Sequence, residues 1–428
     1  MNGERVFDAI IVGGGVAGLT AARELAAKDK KVLLLEARER LGGRLHSRPF
    51  CGRGPVVEIG GAYFKPVPGS YVGNEVERYG LVLASPIKSK DVKWLLDGTM
   101  YASSELIEEH GAEIEAAAFQ IISDAKRFVP GVPTAEQPVP DLDIAASDYL
   151  DSLNLSKPVR DFFEAWATQY SGTTLDEISA VSAIGLVFSR GNSIINLVST
   201  NAYIFEQGAS QLINAIAAGL GEVDIRFRSV VSSITQDDDG VTVELSTGQT
   251  FRGHSAICAV PVNTLSAIRF NPPLRPEQAQ YVSRGQPCRG VKLCVSITGM
   301  EEPILRAGMG GPLQLLQTVH KDENHHLVVG FGIEKGGPDL SSQESVTAAV
   351  KHLAPEAQIL QIEAHDWNQD PYASGAWATF RPGEMKDALV MRAPHRRVHF
   401  IGADLSDTRG VEGALKTAFD VAELLEAR

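Results

Sequence analysis

Cysteine is scarce in this chain, four in 428 residues. Cys51, Cys258, Cys288 and Cys294 form no C-x-x-C pair and no metal spacing, so they read as buried or incidental thiols rather than a disulfide or zinc framework. The ten histidines, His325, His326 and His395 among them, make no H-E-x-x-H and no His/Cys cluster, and no metal is expected. Long apolar runs are missing: none could span a bilayer, and a first strand beginning near Val6 leaves no room for a signal peptide. No basic run stands out, and acidic residues outnumber basic ones 53 to 40, which argues against nucleic acid as a partner. Internal repeats are absent, and no Ser-His-Asp or Cys-His nucleophile arrangement is evident. What remains, 44% apolar and 22% charged residues, is the composition of an ordinary globular protein, at a length that suggests two domains.

Against these absences stands one dense segment between Asp8 and Arg44. Ala9 to Val12 suits a buried parallel strand, Gly13, Gly15 and Gly18 give the G-x-G-x-x-G spacing, and Ala21-Ala22 to Ala26-Ala27 suits the following helix. Gly13 permits the tight turn, Gly15 lets a pyrophosphate approach the helix N-terminus, and Gly18 lets helix and strand pack closely. Val32 to Leu35 forms a second strand that ends in Glu36, where a carboxylate can accept hydrogen bonds from both ribose hydroxyls; this argues against NADP. Strand, helix, second strand and acid in this order predict a bound dinucleotide. Arg40-Leu41-Gly42-Gly43-Arg44 then offers a second close approach to the same diphosphate, for which an NAD site has no use.

Together with Glu58-Ile59-Gly60-Gly61-Ala62-Tyr63 and, near the C-terminus, Phe400-Ile401-Gly402-Ala403-Asp404 followed by Glu412-Gly413-Ala414-Leu415, these motifs resemble the flavin monoamine oxidase family. The resemblance covers almost the whole chain, and Ala165-Trp166-Ala167, His365-Asp366-Trp367 and Gly375-Ala376-Trp377 bring it nearest to the bacterial hydroxynicotine oxidase branch. It implies a Rossmann-like, glutathione reductase-type FAD-binding domain from residues 1–85, 205–265 and 385–428, and an α+β substrate domain built from insertions at 86–204 and 266–384. The cofactor-binding set it implies is Gly13, Gly15, Ala17, Gly18, Glu36, Ala37, Arg38, Gly42, Gly43, Arg44, Gly60, Gly61, Ala62, Val230, Gly402, Asp404 and Val411. Asp404 would contact the ribityl or pyrophosphate region, and the helix after it would stabilise negative charge on the flavin. Ala376 stands where covalently flavinylated relatives carry the linking cysteine, so the FAD is expected to be non-covalent. The C-terminal segment Ala422 to Arg428 reads as an ending helix without the membrane tail of mitochondrial relatives, and the expected location is cytoplasmic.

Two residues are assigned catalytic roles by the same resemblance. Lys292 lies in an otherwise apolar strand between Val291 and Leu293; the alternatives are an edge lysine reaching solvent and the family lysine that holds a water against flavin N5, and the context favours the second. Trp377 matches an aromatic wall of the substrate cage, with core packing as the competing reading. Relatives carry a second aromatic wall where this chain has Gly410, preceded by Arg409. Arg409 has two readings, partner of a substrate anion or exposed arginine beside a surface acid, and the second is the commoner case. Gln169 and Tyr170 match substrate-facing positions; Gln169 replaces an Asn, which puts a hydroxynicotine substrate in doubt, and a helix-end residue in solvent is the equal alternative.

Around these motifs the pattern predicts helices over 105–128, 146–153, 157–170 and 175–188, a Pro-rich loop at 130–140, and strands at 225–227, 230–234, 241–245, 255–260, 291–297, 327–333 and 398–404. The implied activity is hydride transfer from an amine α-carbon to flavin N5, giving an imine that hydrolyses to a carbonyl, with O2 as acceptor and hydrogen peroxide as product. A small-molecule amine is the implied partner and a homodimer is possible. The rival readings are a flavin dehydrogenase or desaturase acting on C–C bonds, and a redox-silent flavoprotein.

Overall fold

The computed structural model describes residues 6–198, 202–323 and 325–426. Ala427 and Arg428, the end of the expected last helix, lie outside the described residues.

Val6–Val12 is buried on both faces beyond its first residues, as its unbroken apolar run requires, and takes a central place in an eight-stranded sheet. Its parallel neighbours are Thr250–Cys258 on one side and Val32–Leu35 on the other, with Asp224–Arg226 beyond the latter and Val398–Phe400 on the far side of Thr250–Cys258. Val12 is level with both Leu35 and Cys258, and Cys258 with Phe400. The residues that follow, Gly13, Glu36, Ala259 and Ile401-Gly402, therefore emerge side by side at one sheet edge. Open parallel sheets bind their ligands at this carboxyl edge.

A second, seven-stranded sheet runs in the order Gln358–Ala364, Gly290–Thr298, His326–Ile333, Leu315–Lys321, Ile304–Gly308, Asp91–Leu96 and Thr99–Ala102. The helices Ser103–Ala125, Ala146–Ser152, Lys157–Ser171 and Ala180–Ser189 pack in one apolar cluster with part of the first sheet. The mixed α/β architecture is the expected one.

Three local expectations need correction. The helix expected over 175–188 is split: Leu175–Glu177 is one 3-10 turn, and Ile178 and Ser179 are extended. Ile178 O accepts from Ala146 N, and Ser179 N donates to Phe380 O, both at 2.8 Å, so tertiary bonds outcompete helical ones. The Pro-rich stretch contains two 3-10 turns, Thr134–Glu136 and Pro140–Leu142. The last strand stops at Phe400, and Ala403–Leu405 turns as a 3-10 segment after Gly402.

Candidate active site

The glycine-rich turn closes against the R-L-G-G-R segment. Gly18 enters the Val16–Ala26 helix so near the strand end that a Cβ there would lie 1.9 Å from Gly13 O. Gly42 N donates to Gly14 O at 2.8 Å, and Gly15 and Gly42 pair as a parallel bridge. Gly15 has only Gly43 near the place of a Cβ, at 4.0 Å. Buried Glu36 holds this corner: its carboxylate accepts from Gly14 N at 2.6 Å and from Arg38 N at 2.8 Å. Ser229 N donates to Glu36 O at 2.9 Å, which sets Val230 beside the same corner, and Ala37 follows Glu36 directly. Ala17 and Val411 share the apolar cluster beneath.

Further along, four distant segments converge on Arg44. Its guanidinium donates to Ala376 O at 2.8 Å and to the Asp404 carboxylate at 2.6 Å, while the other Asp404 oxygen accepts from Val262 N at 3.1 Å. Gly60 packs on the same stretch: a Cβ on it would lie 1.9 Å from Arg44 O, so this approach requires glycine at position 60. A helix N-terminus, two glycine-rich backbones in contact and a buried carboxylate form a cradle that a side chain would fill, and these residues fit an FAD.

Lys292 stands in the interior strand Gly290–Thr298, paired on both edges, so the edge-lysine reading is excluded. It is buried, and its Nζ donates to Gly60 O at 2.7 Å and lies 5.5 Å from the centroid of the Phe331 ring. Burial lowers its pKa, opposed by Cys294 and Glu58. Trp377 leans on the start of the same strand: a Cβ on Gly290 would lie 2.4 Å from its ring. Its Nε1 donates to Tyr170 O at 2.9 Å.

Trp166 and Tyr170, stacked at 5.9 Å, line a cavity of about 90 Å³ together with Ser182 and Ala183 of the Ala180–Ser189 helix. Arg409 lines it too, and the expectation of an exposed arginine beside a surface acid is overturned. Its Nη2 donates to Ser182 O at 3.0 Å and its guanidinium lies 5.7 Å from the Phe380 ring centroid. The reason is the backbone: Arg409 has φ +50° and Gly410 φ +54°, a left-handed turn that folds the side chain inward. Gly410 itself does not line the cavity. Neither does Gln169, but its Oε1 is buried without a partner, so it is no solvent residue. Ser182 and Thr379, both cavity-lining, were missed. Nothing marks Ser182 in sequence, where it is one small polar residue within an expected helix. Among the described residues no helix is long and apolar enough to cross a membrane.

A family profile described as flavin containing amine oxidoreductase matches residues 16–425. The chain is 35% identical to (S)-6-hydroxynicotine oxidase of Paenarthrobacter nicotinovorans, over 96% of this chain and 98% of that protein. It is 28% identical to nicotine dehydrogenase of Pseudomonas putida, over 98% and 89% of the two chains. Putrescine oxidase bound to putrescine shares the fold, with a TM-score of 0.86 at 21% identity, covering 99% of this chain and 100% of that one.

Proposed function

Because the chain belongs to the family of flavin-containing amine oxidoreductases and is an FAD-dependent amine oxidase, we propose that it oxidises a small amine with an apolar body, with O2 as acceptor, in a site framed by Trp377, Lys292 and the Trp166/Tyr170 cavity. The single observation that carries this is the convergence of Lys292 on Gly60 O and of Trp377 on Gly290, two residues before Lys292. When bound, FAD supplies the redox chemistry, taking a hydride equivalent from the amine α-carbon and passing electrons to O2 to give hydrogen peroxide.

The chain's own residues supply position and environment. Glu36 and the two glycine-rich backbones would hold the dinucleotide, with the Arg44–Asp404 pair bracing the segments around it. Residues 1–85, 205–265 and 385–428 form the cofactor half in this reading, and the remainder the substrate half. Trp377, braced by Tyr170 O, orients the amine and excludes water. Lys292, whose pKa burial depresses, holds a water or a proton at Nζ. The bound amine enters uncharged, because an apolar wall of Trp and Tyr disfavours an ammonium without a counter-charge.

Mixing the purified yellow protein with an amine panel under anaerobic conditions, then admitting air, tests the proposal. Loss of the flavin absorbance followed by stoichiometric peroxide supports it. Bleaching without reoxidation by air assigns a different acceptor, and no bleaching by any amine sinks the reading.

A further inference from the structure

The cavity beside Trp166 and Tyr170 is almost wholly apolar, lined by residues such as Leu150, Phe163, Ile184 and Leu197. One corner is not. Arg409, Ser182 and Thr379 supply polar groups to its lining: Arg409 donates to the backbone O of Ser182, and its guanidinium faces the ring of Phe380, the residue after Thr379. Ser182 Oγ and Thr379 Oγ1 are both buried with no hydrogen-bond partner.

Arg409, half-buried, also lacks what the fully buried arginines have. Arg23 pairs with Glu75, and Arg306 with Asp91 and Glu356. No carboxylate stands within ion-pair distance of Arg409 among the described residues; Asp407, the acid whose field it feels, is engaged with Arg392 at 3.5 Å. Desolvation against the cavity wall pushes the guanidinium down to about 10, opposed by Asp407 and Cys288. Buried cations are tolerated when paired, and a guanidinium offers a planar fork of donors that matches a carboxylate. A neutral acceptor would leave the charge uncompensated, and a phosphate dianion would need a second cation.

We propose that this corner binds the carboxylate of the substrate, Arg409 presenting the fork and the hydroxyls of Ser182 and Thr379 flanking it, so that the substrate is an amine bearing a carboxylate on an apolar skeleton. The proposal rests on the amine-oxidase reading for the amine and on the cavity alone for the carboxylate. No residue of the FAD cradle takes part in it.

Titration of the FAD-loaded enzyme with benzoate and with neutral benzamide, followed by calorimetry and flavin absorbance, tests the carboxylate without turnover. Wild type is expected to bind benzoate roughly 10- to 100-fold more tightly than benzamide. Arg409→Met is expected to abolish that preference and leave benzamide binding within about twofold, and Ser182→Ala with Thr379→Val to reduce it in part while keeping Arg409. Equal binding of the two ligands by wild type overturns the proposal, as does an equal loss of both in Arg409→Met. Should that variant fail to fold, an unchanged benzoate preference in the Ser182→Ala, Thr379→Val protein overturns the assigned corner. A parallel anaerobic test separates the two readings. Bleaching by simple amines with no preference for carboxylated ones removes this proposal alone, and no bleaching by either kind removes the amine-oxidase reading beneath it.

Discussion

Lys292 occupies a place where an ammonium is costly: an interior strand, a single carbonyl acceptor and no ion-paired carboxylate among the described residues. Lys292→Met keeps the stem and removes the charge, so the fold and FAD content are expected to survive, while turnover falls by roughly 100-fold if Nζ handles a proton or its water. Stopped-flow reduction and reoxidation, measured separately, check this; unchanged rates in both halves remove Lys292 from the chemistry. His46 offers a second test at this scale. Burial first, then the nearby Arg40 and Arg48, push its imidazole down to about 4. The folded chain therefore leaves His46 neutral between about 6.5 and about 4, where the unfolded chain protonates it, and stability falls as pH drops through that window. His46→Gln is expected to flatten that part of the stability curve, read by denaturant titration at several pH values; an unchanged slope refutes the assignment. Candidate residues were legible where residue type stands out against its neighbours. Lys292 and Trp377 stand out by type within apolar or small-residue stretches, but the inward turn of Arg409 depends on two consecutive left-handed residues that no pattern announced.

The Gly410–Glu426 helix packs in one apolar cluster with the Val16–Ala26 helix, and its family-like E-G-A segment does something the motif did not suggest. The Glu412 carboxylate accepts from Tyr71 N and Val72 N, both at 2.9 Å, capping the Tyr71–Tyr79 helix from the far end of the chain. Two charge-assisted bonds to otherwise orphaned helix donors stabilise both helices. Glu412→Ala is expected to cost about 1–2 kcal/mol of unfolding free energy with the flavin spectrum unchanged. A spectrum that shifts with the substitution would assign Glu412 to the cofactor instead. Elements with strong local signals, such as Val241–Leu245 and the glycine-rich strand and helix, were readable to within a few residues. The broken 175–188 helix was not, because the bonds that extend Ile178 and Ser179 come from residues 146 and 380.

At the scale of the whole molecule, the edge proposed to hold the cofactor is assembled from residues 6–44, the 250s and the residues after Phe400, and it is tied by Arg44 to Ala376 and Asp404. Such an assembly couples FAD binding to global stability, since segments far apart in sequence meet only when the chain is folded. Among the described residues, none at this junction offers a thiolate for a covalent link. Position 376 carries a methyl group, and Cys288, whose sulfur accepts from Trp377 N at 3.4 Å, is buried and pushed up to about 11, hence a neutral thiol. We therefore expect the cofactor to dissociate on unfolding: after acid precipitation the yellow colour appears in the supernatant, and a yellow pellet would reveal a covalent bond. Because FAD then binds the native and not the unfolded chain, adding it at a hundredfold excess over its dissociation constant is expected to raise the unfolding free energy by about 2.7 kcal/mol. Apoprotein melts recorded against FAD concentration measure that slope. A melting temperature that ignores added FAD would mean that these distant segments close without the cofactor holding them.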